Sequence, residues 1–194
     1  MFSNNTSTFV PSHSSARRLA AAVCLLGLAV GTGCSASADI PEVTVTRSDV
    51  EFLGVPLIPG ITDVDQTVSS TFDHPSDVEL PSELNPELHP LAASIQGREN
   101  MGDLSFLDKM EVTLSSRAPN APEPILLASY ERRGNGSAGR VLELEIDSNT
   151  DVLSYWDTKQ AYYDITLWGT LPEEDWSVDV TFSFSGRLSV STSD

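Results

Sequence analysis

The sequence predicts an all-β protein, an antiparallel β-sandwich of immunoglobulin-like or jelly-roll type with roughly eight strands. Three observations lead there. From Ser177 to Val190 the chain alternates strictly: Val178, Val180, Phe182, Phe184, Gly186, Leu188 and Val190 share one phase, and Ser, Asp, Thr and Arg fill the other. A period of two puts successive side chains on opposite faces, so this strand has one face on a core and one in water. The rest of the chain is punctuated at short intervals by Pro, Gly, Asn and Asp. No long stretch carries apolar residues at helical spacing. A closed barrel is the alternative arrangement.

Within a single domain over residues 42–194, the elements follow in order. EVTVTRSDVEFLG places Val43 and Val45 in one phase and Val50 and Phe52 in the other, so a bulge or turn is expected at Ser48-Asp49. TVSSTFD reads as a second strand. Residues 73–90 hold Pro75, Pro81, Pro86 and Pro90, which a central strand or helix interior does not accept; they are expected to form a long irregular loop. LAASIQ alternates, and DLSFLD reads as a short turn, with room for one helical turn. KMEVTLSS follows with Met110, Val112 and Leu114 on one side. PILLASYE and RVLELEI are joined by RRGNGSAG, a hairpin loop by composition, with Leu142, Leu144 and Ile146 inward. After a break at DSNTDVLSYWDTK comes AYYDITLWGTL, then the final strand. Gly186 permits a kink there, or a three-residue hairpin loop at 185–187 that keeps the phase.

The amino-terminal end has a different character. Residues 1–33 contain no acid, and Arg17 and Arg18 precede an apolar run from Leu19 to Val30 and the small residues Gly31, Thr32 and Gly33. That is the order of a secretory signal. The run is too short to span a bilayer, which takes ~20 apolar residues. Its end, GTGC, resembles the lipobox of bacterial lipoproteins: Gly33 and Cys34 match, and Gly31 stands where that family usually has leucine. The resemblance covers the signal alone. It implies cleavage before Cys34, acylation of the Cys34 thiol, and residues 34–41 as a lipidated tether. With Ser35 after the cysteine, it also implies the outer membrane.

Composition narrows the function classes. Cys24 lies in the signal and Cys34 would carry lipid, so the domain has no thiol for a disulfide, redox pair or nucleophile. The signal holds two arginines and no acid, so its removal takes the net charge from −17 to −19. Such a surface repels nucleic acid and anionic head groups; no nucleic-acid partner is expected. The partners left are the membrane, through the anchor, and an envelope protein or glycan.

Ser137 in GNGSAG lacks the glycine two positions earlier that a nucleophile elbow needs, because Asn135 stands there. Asp147, Asn149 and Asp151 form D-x-N-x-D, the opening of a calcium loop, although Val152 replaces its turn glycine and Thr158 its closing glutamate. The plainer reading is an exposed turn. His74 with Asp73, Asp77 and Glu79, or with His89, does not specify a zinc site, which takes three or four ligands. Arg132, Arg133 and Arg140 gather near one loop, as a docking patch or as solvated charges. All three tryptophans fall between residues 155 and 176. In AYYDITLWGTL, Tyr163, Ile165 and Leu167 share one face and Tyr162, Asp164, Thr166 and Trp168 the other. If the first face is core, Tyr162 and Trp168 flank Asp164 on the outside, as rings that stack on sugars do beside carboxylates that bind their hydroxyls. The competing reading packs this second face under residues 73–90. The expected function is a non-enzymatic binding or structural module. An envelope hydrolase with a loop-built carboxylate site is the alternative, and a pocket with two facing carboxylates would favour it.

Overall fold

In the computed structural model, which describes residues 36–56, 64–73, 85–98, 101–134, 137–156 and 160–190, nine strands follow in chain order. They are Ala36–Phe52 (β1), Val64–Asp73 (β2), Asn85–Gly97 (β3), Leu107–Ser115 (β4) and Ile125–Glu131 (β5). Val141–Glu143 (β6), Glu145–Ile146 (β7), Gln160–Gly169 (β8) and Trp176–Val190 (β9) complete the set. Residues 1–33, Cys34, His74, Asp77 and Glu79 lie outside the described residues.

Two antiparallel sheets result, one ordered β1-β9-β3-β6 and the other β2-β8-β4-β5-β7. Among consecutive strands only β4 and β5 are neighbours. With the two-residue β7 set aside, the first strand pairs with the last, the second with the second-last, the third with β6, and β4 with β5. That is a long hairpin rolled on itself, the jelly-roll order, rather than the immunoglobulin-like one. Both central strands, β8 and β9, alternate in burial along their length. Their inward phases close one core: Tyr163, Ile165 and Leu167 from β8 meet Val178, Val180, Phe182 and Phe184 from β9, each at most 1% exposed. Phe72 stacks on Tyr163 at 4.1 Å and meets Phe182 edge-on at 5.2 Å, fastening one sheet to the other. Full burial of each such ring stabilises by roughly 1.5–3 kcal/mol.

The bulge expected in β1 is present. The register to β9 shifts between Arg47 and Val50, and Asp49 takes φ 62°, a left-handed conformation that aspartate tolerates better than most residues. β9 also runs unbroken through Gly186, which pairs with Ile40 on one side and Leu88 on the other, so no hairpin loop forms at 185–187.

Three expectations are corrected. Ala36–Ile40, assigned to the tether, pair with Gly186–Val190 and extend β1, because β9 runs on and supplies backbone partners. Residues 85–90, assigned to the irregular loop, form the first half of β3 along β9. Their prolines are accepted because β6 pairs with β3 only at Ser94–Gln96, leaving Pro86 and Pro90 on an edge, with Pro90 at a register shift. Residues 74–84 lie outside the described residues. RVLELEI is split: β6 joins β3 and β7 joins β5, and the chain crosses between sheets at buried Leu144, whose N–H donates to the Ala93 carbonyl. The RRGNGSAG link therefore spans sheets, and β5 and β7 pair only at Ala128–Ile146 and Ser129–Glu145. DLSFLD makes the expected short turn, closed by Leu107 N–H to the Leu104 carbonyl and without a helical turn.

Candidate functional site

Strand β8 lies between β2 and β4, so its outward phase forms the middle of one sheet's outer face. Tyr162, Asp164, Thr166 and Trp168 all point that way, half-buried, while Ala161, Tyr163, Ile165 and Leu167 are buried on the other side. The two outer rings are six residues apart in an extended strand, roughly 20 Å at about 3.3 Å per residue. Between them the strip is polar. The Thr67 and Thr166 hydroxyls are 2.9 Å apart, and the Ser69 hydroxyl donates to Asp164 Oδ1. Glu111 and Thr113 oppose Thr166 and Asp164 from β4. Leu126, 53% exposed, opposes Thr113 from β5.

Two cations that sequence reading passed over sit on the rings. Lys109 is the cross-strand partner of Trp168, and its Nζ lies 4.5 Å from the ring centre and 2.7 Å from Glu111 Oε1. The Arg117 guanidinium lies 4.1 Å from the centre of Tyr162. Each contact is a cation–π pair. Both cations ride on long, flexible side chains, so a ligand can share or displace them. Tyr163, behind this face, has its hydroxyl pushed up to about 12 by burial, which Ser70 and the charge of Arg47 partly oppose. The strip can therefore offer two ring faces, carboxylate and hydroxyl acceptors, and two movable donors to an extended ligand.

The other candidates are spent on local structure. Ser137 donates to Asp103 Oδ2 at 2.8 Å, and Asp103 Oδ1 also accepts from Ser105 and from Gly139 N–H. The Ser105 and Ser137 hydroxyls hold the Asp103 carboxyl below its usual range. Asp103 thus ties the loop before β6 to the turn before β4, a role with no signal in the sequence beyond a turn-forming aspartate. Asp147 Oδ1 accepts from Asn149 N–H and its Oδ2 from Thr150, which lowers its pKa, the Asn149 amide foremost. Asp151 Oδ1 accepts from Leu88 and Leu153 N–H. Of the calcium-loop candidates Asp147, Asn149 and Asp151, the two carboxylates therefore accept from backbone amides and the Thr150 hydroxyl, and the Asn149 backbone amide donates to Asp147. Among the described residues no group of three or more His, Cys, Asp or Glu side chains is placed to hold a metal.

His89 is not in a free loop but on β3, with Nδ1 3.2 Å from the Thr150 carbonyl and Nε2 3.5 Å from Glu87. The three arginines diverge. Arg133 pairs with Glu145 at 2.6 Å, Arg132 lies 3.8 Å from Asp108, and Arg140 donates to the Gly97 carbonyl. In comparisons with known proteins the chain matches no family model, and neither a curated protein nor a solved structure matches it.

Proposed function

We propose that this protein is a non-enzymatic binding module of the cell envelope, lipid-anchored at Cys34, whose β8 face holds an extended polysaccharide. One observation carries the reading: a single strand presents Tyr162 and Trp168 outward at the two ends of a polar strip while its other phase is buried. Large rings on an outer sheet face need a reason to be there, and recognition is the usual one. The roughly 20 Å span favours a chain over a single sugar. Neutral glycan suits the strip, because the chain without residues 1–33, at net charge −19, repels anionic polymers. With β1 beginning at Ala36, lipid on Cys34 would hold the start of that strand at the membrane surface.

Trp168→Ala should leave thermal stability nearly unchanged and abolish binding on an array of neutral polysaccharides and peptidoglycan. Intact binding by that variant, or a stability loss of ~3–5 kcal/mol, would remove the shelf, the latter because it marks a core ring. For the anchor, Cys34→Ser should lose fatty-acid label and membrane partitioning; unchanged label overturns that half of the reading separately.

A further inference from the structure

We infer that this protein pairs with a second copy of itself along β2, edge to edge and antiparallel. The inference stands apart from the β8 reading and from the lipid anchor. A strand at the edge of a sheet offers a row of backbone N–H and C=O groups to any chain that can lie beside it, and proteins spoil such edges with shortness, prolines, bulges or charges. The other described edges each carry at least one of these. β1 shifts register twice against β9 and holds Asp39, Glu42, Arg47, Asp49 and Glu51. The free half of β3 holds Pro86, Pro90 and a register shift. β6 and β7 are three and two residues long, each with a glutamate, and β7 leaves only short ends of β5 free. β2 carries none of them along its middle. It is ten residues long, pairs residue for residue with β8 without a shift, has no proline, and is uncharged from Gln66 to Phe72. Its other side has no backbone partner among the described residues.

The core supplies a second pointer. The inward phase of β8 is closed, with Ala161, Tyr163, Ile165 and Leu167 at most 1% exposed. On β2 only Phe72 is buried to that degree, while Val64, Gln66, Val68 and Ser70 stay partly open. Val64 and Val68 pack on the core from one side and have nothing beyond them on the other. A second β2 laid alongside brings the same apolar inward phase and continues the core across the join.

The strand also matches itself. A twofold axis normal to the sheet keeps inward residues opposite inward residues and sets one residue against its own copy. With Val68 on the axis, Val64 faces Phe72 and Gln66 faces Ser70 on the inner side. On the outer side Asp65 faces Thr71 and Thr67 faces Ser69. No like charges meet between Val64 and Phe72. An axis at Ser69 would set Asp65 against Asp73, a pairing that opposed strands disfavour. The Val68 axis turns both β8 faces the same way.

The test is sedimentation equilibrium of the full chain in non-ionic detergent, which keeps the apolar run Leu19–Val30 from assembling by itself. The chain should form a dimer and nothing larger. Thr71→Asp sets a carboxylate against Asp65 of the other copy at two symmetric places and should weaken the dimer about tenfold. Thr71→Lys should tighten it, because an ammonium then faces the same Asp65. Adding Asp65→Lys to Thr71→Asp should restore the dimer, since the introduced charges face each other across the axis. Within one copy the two positions are six residues apart on an extended strand, roughly 20 Å, and screened from each other, so the rescue reports a contact between copies. Thr46→Asp, at an exposed outer position on the β1 edge, should leave the dimer unchanged. A chain that stays monomeric, a dimer indifferent to both Thr71 changes, a loss that Asp65→Lys does not restore, or equal weakening by Thr46→Asp each overturns the pairing.

Discussion

Strands β8 and β9 occupy the same place in their two sheets, and their inner phases are interchangeable in kind. Each is flanked on both sides, and each buries every second residue. Each is also laced to its edge strand by hydroxyl pairs on the outer face. On β9 these are Thr44 with Ser183 at 3.0 Å and Thr46 with Thr181 at 3.1 Å; on β8, Thr67 with Thr166 at 2.9 Å. The outer phases then part company. β9 shows only Ser, Asp, Thr and Arg, whereas β8 adds Tyr162 and Trp168. The β9 face shows that short hydroxyl and charged side chains suffice to finish a sheet surface in this fold. The rings on β8 therefore exceed what the sheet requires, and that excess is the physical basis for reading the β8 face as a recognition surface.

The comparison breaks first if the inner phases are not equivalent. Phe182→Asp and Ile165→Asp each put a carboxylate into a fully buried position, 0% and 1% exposed. Each should cost several kcal/mol out of the ~5–15 that a domain of this size has, and both should abolish the cooperative thermal transition followed by circular dichroism. Thr181→Asp, one residue along on the outer face, should fold and lose about 1 kcal/mol or less. If β9 tolerates its buried aspartate and β8 does not, the two sheets do not share one core.

A smaller loss sharpens the contrast at the end of β8. Gly169 has φ +147°, and a Cβ there would sit 2.1 Å from the Phe106 carbonyl oxygen. The backbone of β8 passes so close to the chain entering β4 that no side chain fits. Gly169→Ala should lower stability by about 2–4 kcal/mol in denaturant unfolding. Because Gly169 follows Trp168, the same change should disturb the Trp168–Lys109 contact and shift the indole fluorescence. An unshifted spectrum with the same stability loss would show that the ring is positioned by its strand alone.

Acid should act on the loops before it acts on either sheet. Asp103 and Asp147 have folded-state pKa values below the ordinary one, from hydrogen bonds to Ser105 and Ser137 in one case and to Asn149 and Thr150 in the other. A depressed carboxyl contributes stability above its unfolded value and loses it as pH falls through the folded value. Both groups are fully exposed, so the effect is local. The protection of the Ala138 and Gly139 amides against exchange, taken relative to the intrinsic rate at each pH, should fall as the solution is acidified below the ordinary carboxylate range. Asp103→Asn should show fast exchange there at neutral pH. Equal exchange in variant and parent would remove Asp103 as the tie between the two loops.

Much of this was legible because side-chain period and face are the same information. The inward sets of β4, β8 and β9, and the phase change at Ser48-Asp49 that marks the bulge, follow from alternation alone. Pairing is not written in the period. RVLELEI keeps one phase from Leu142 to Ile146 although it leaves one sheet for the other, since both sheets face the same core. Pro86 and Pro90 argue against a central strand, and β3 accepts them because β6 stops short of that stretch. At the candidate site, Tyr162, Asp164 and Trp168 could be placed on one face from β8 itself. Lys109 and Arg117 could not, because their contacts depend on which strand lies beside β8 and in what register.

The finest test concerns those cations. If they are the intramolecular occupants of ring faces meant for a ligand, their contacts with the rings should be weak enough to exchange. A double-mutant cycle with Lys109→Ala and Trp168→Ala should give a coupling of about 0.5–1 kcal/mol by denaturant unfolding, the range of an exposed cation–π pair. The Arg117→Ala and Tyr162→Ala cycle should match it. A coupling of about 2 kcal/mol or more marks a desolvated, locked pair, and the rings are then surface packing with their faces closed. At the weak value, Lys109→Ala should bind neutral polysaccharide at least as well as the parent, because the ring face no longer has to be cleared. Tighter stacking with unchanged stability would separate the β8 face from the hydroxyl face of β9, where no single truncation is expected to improve binding of anything.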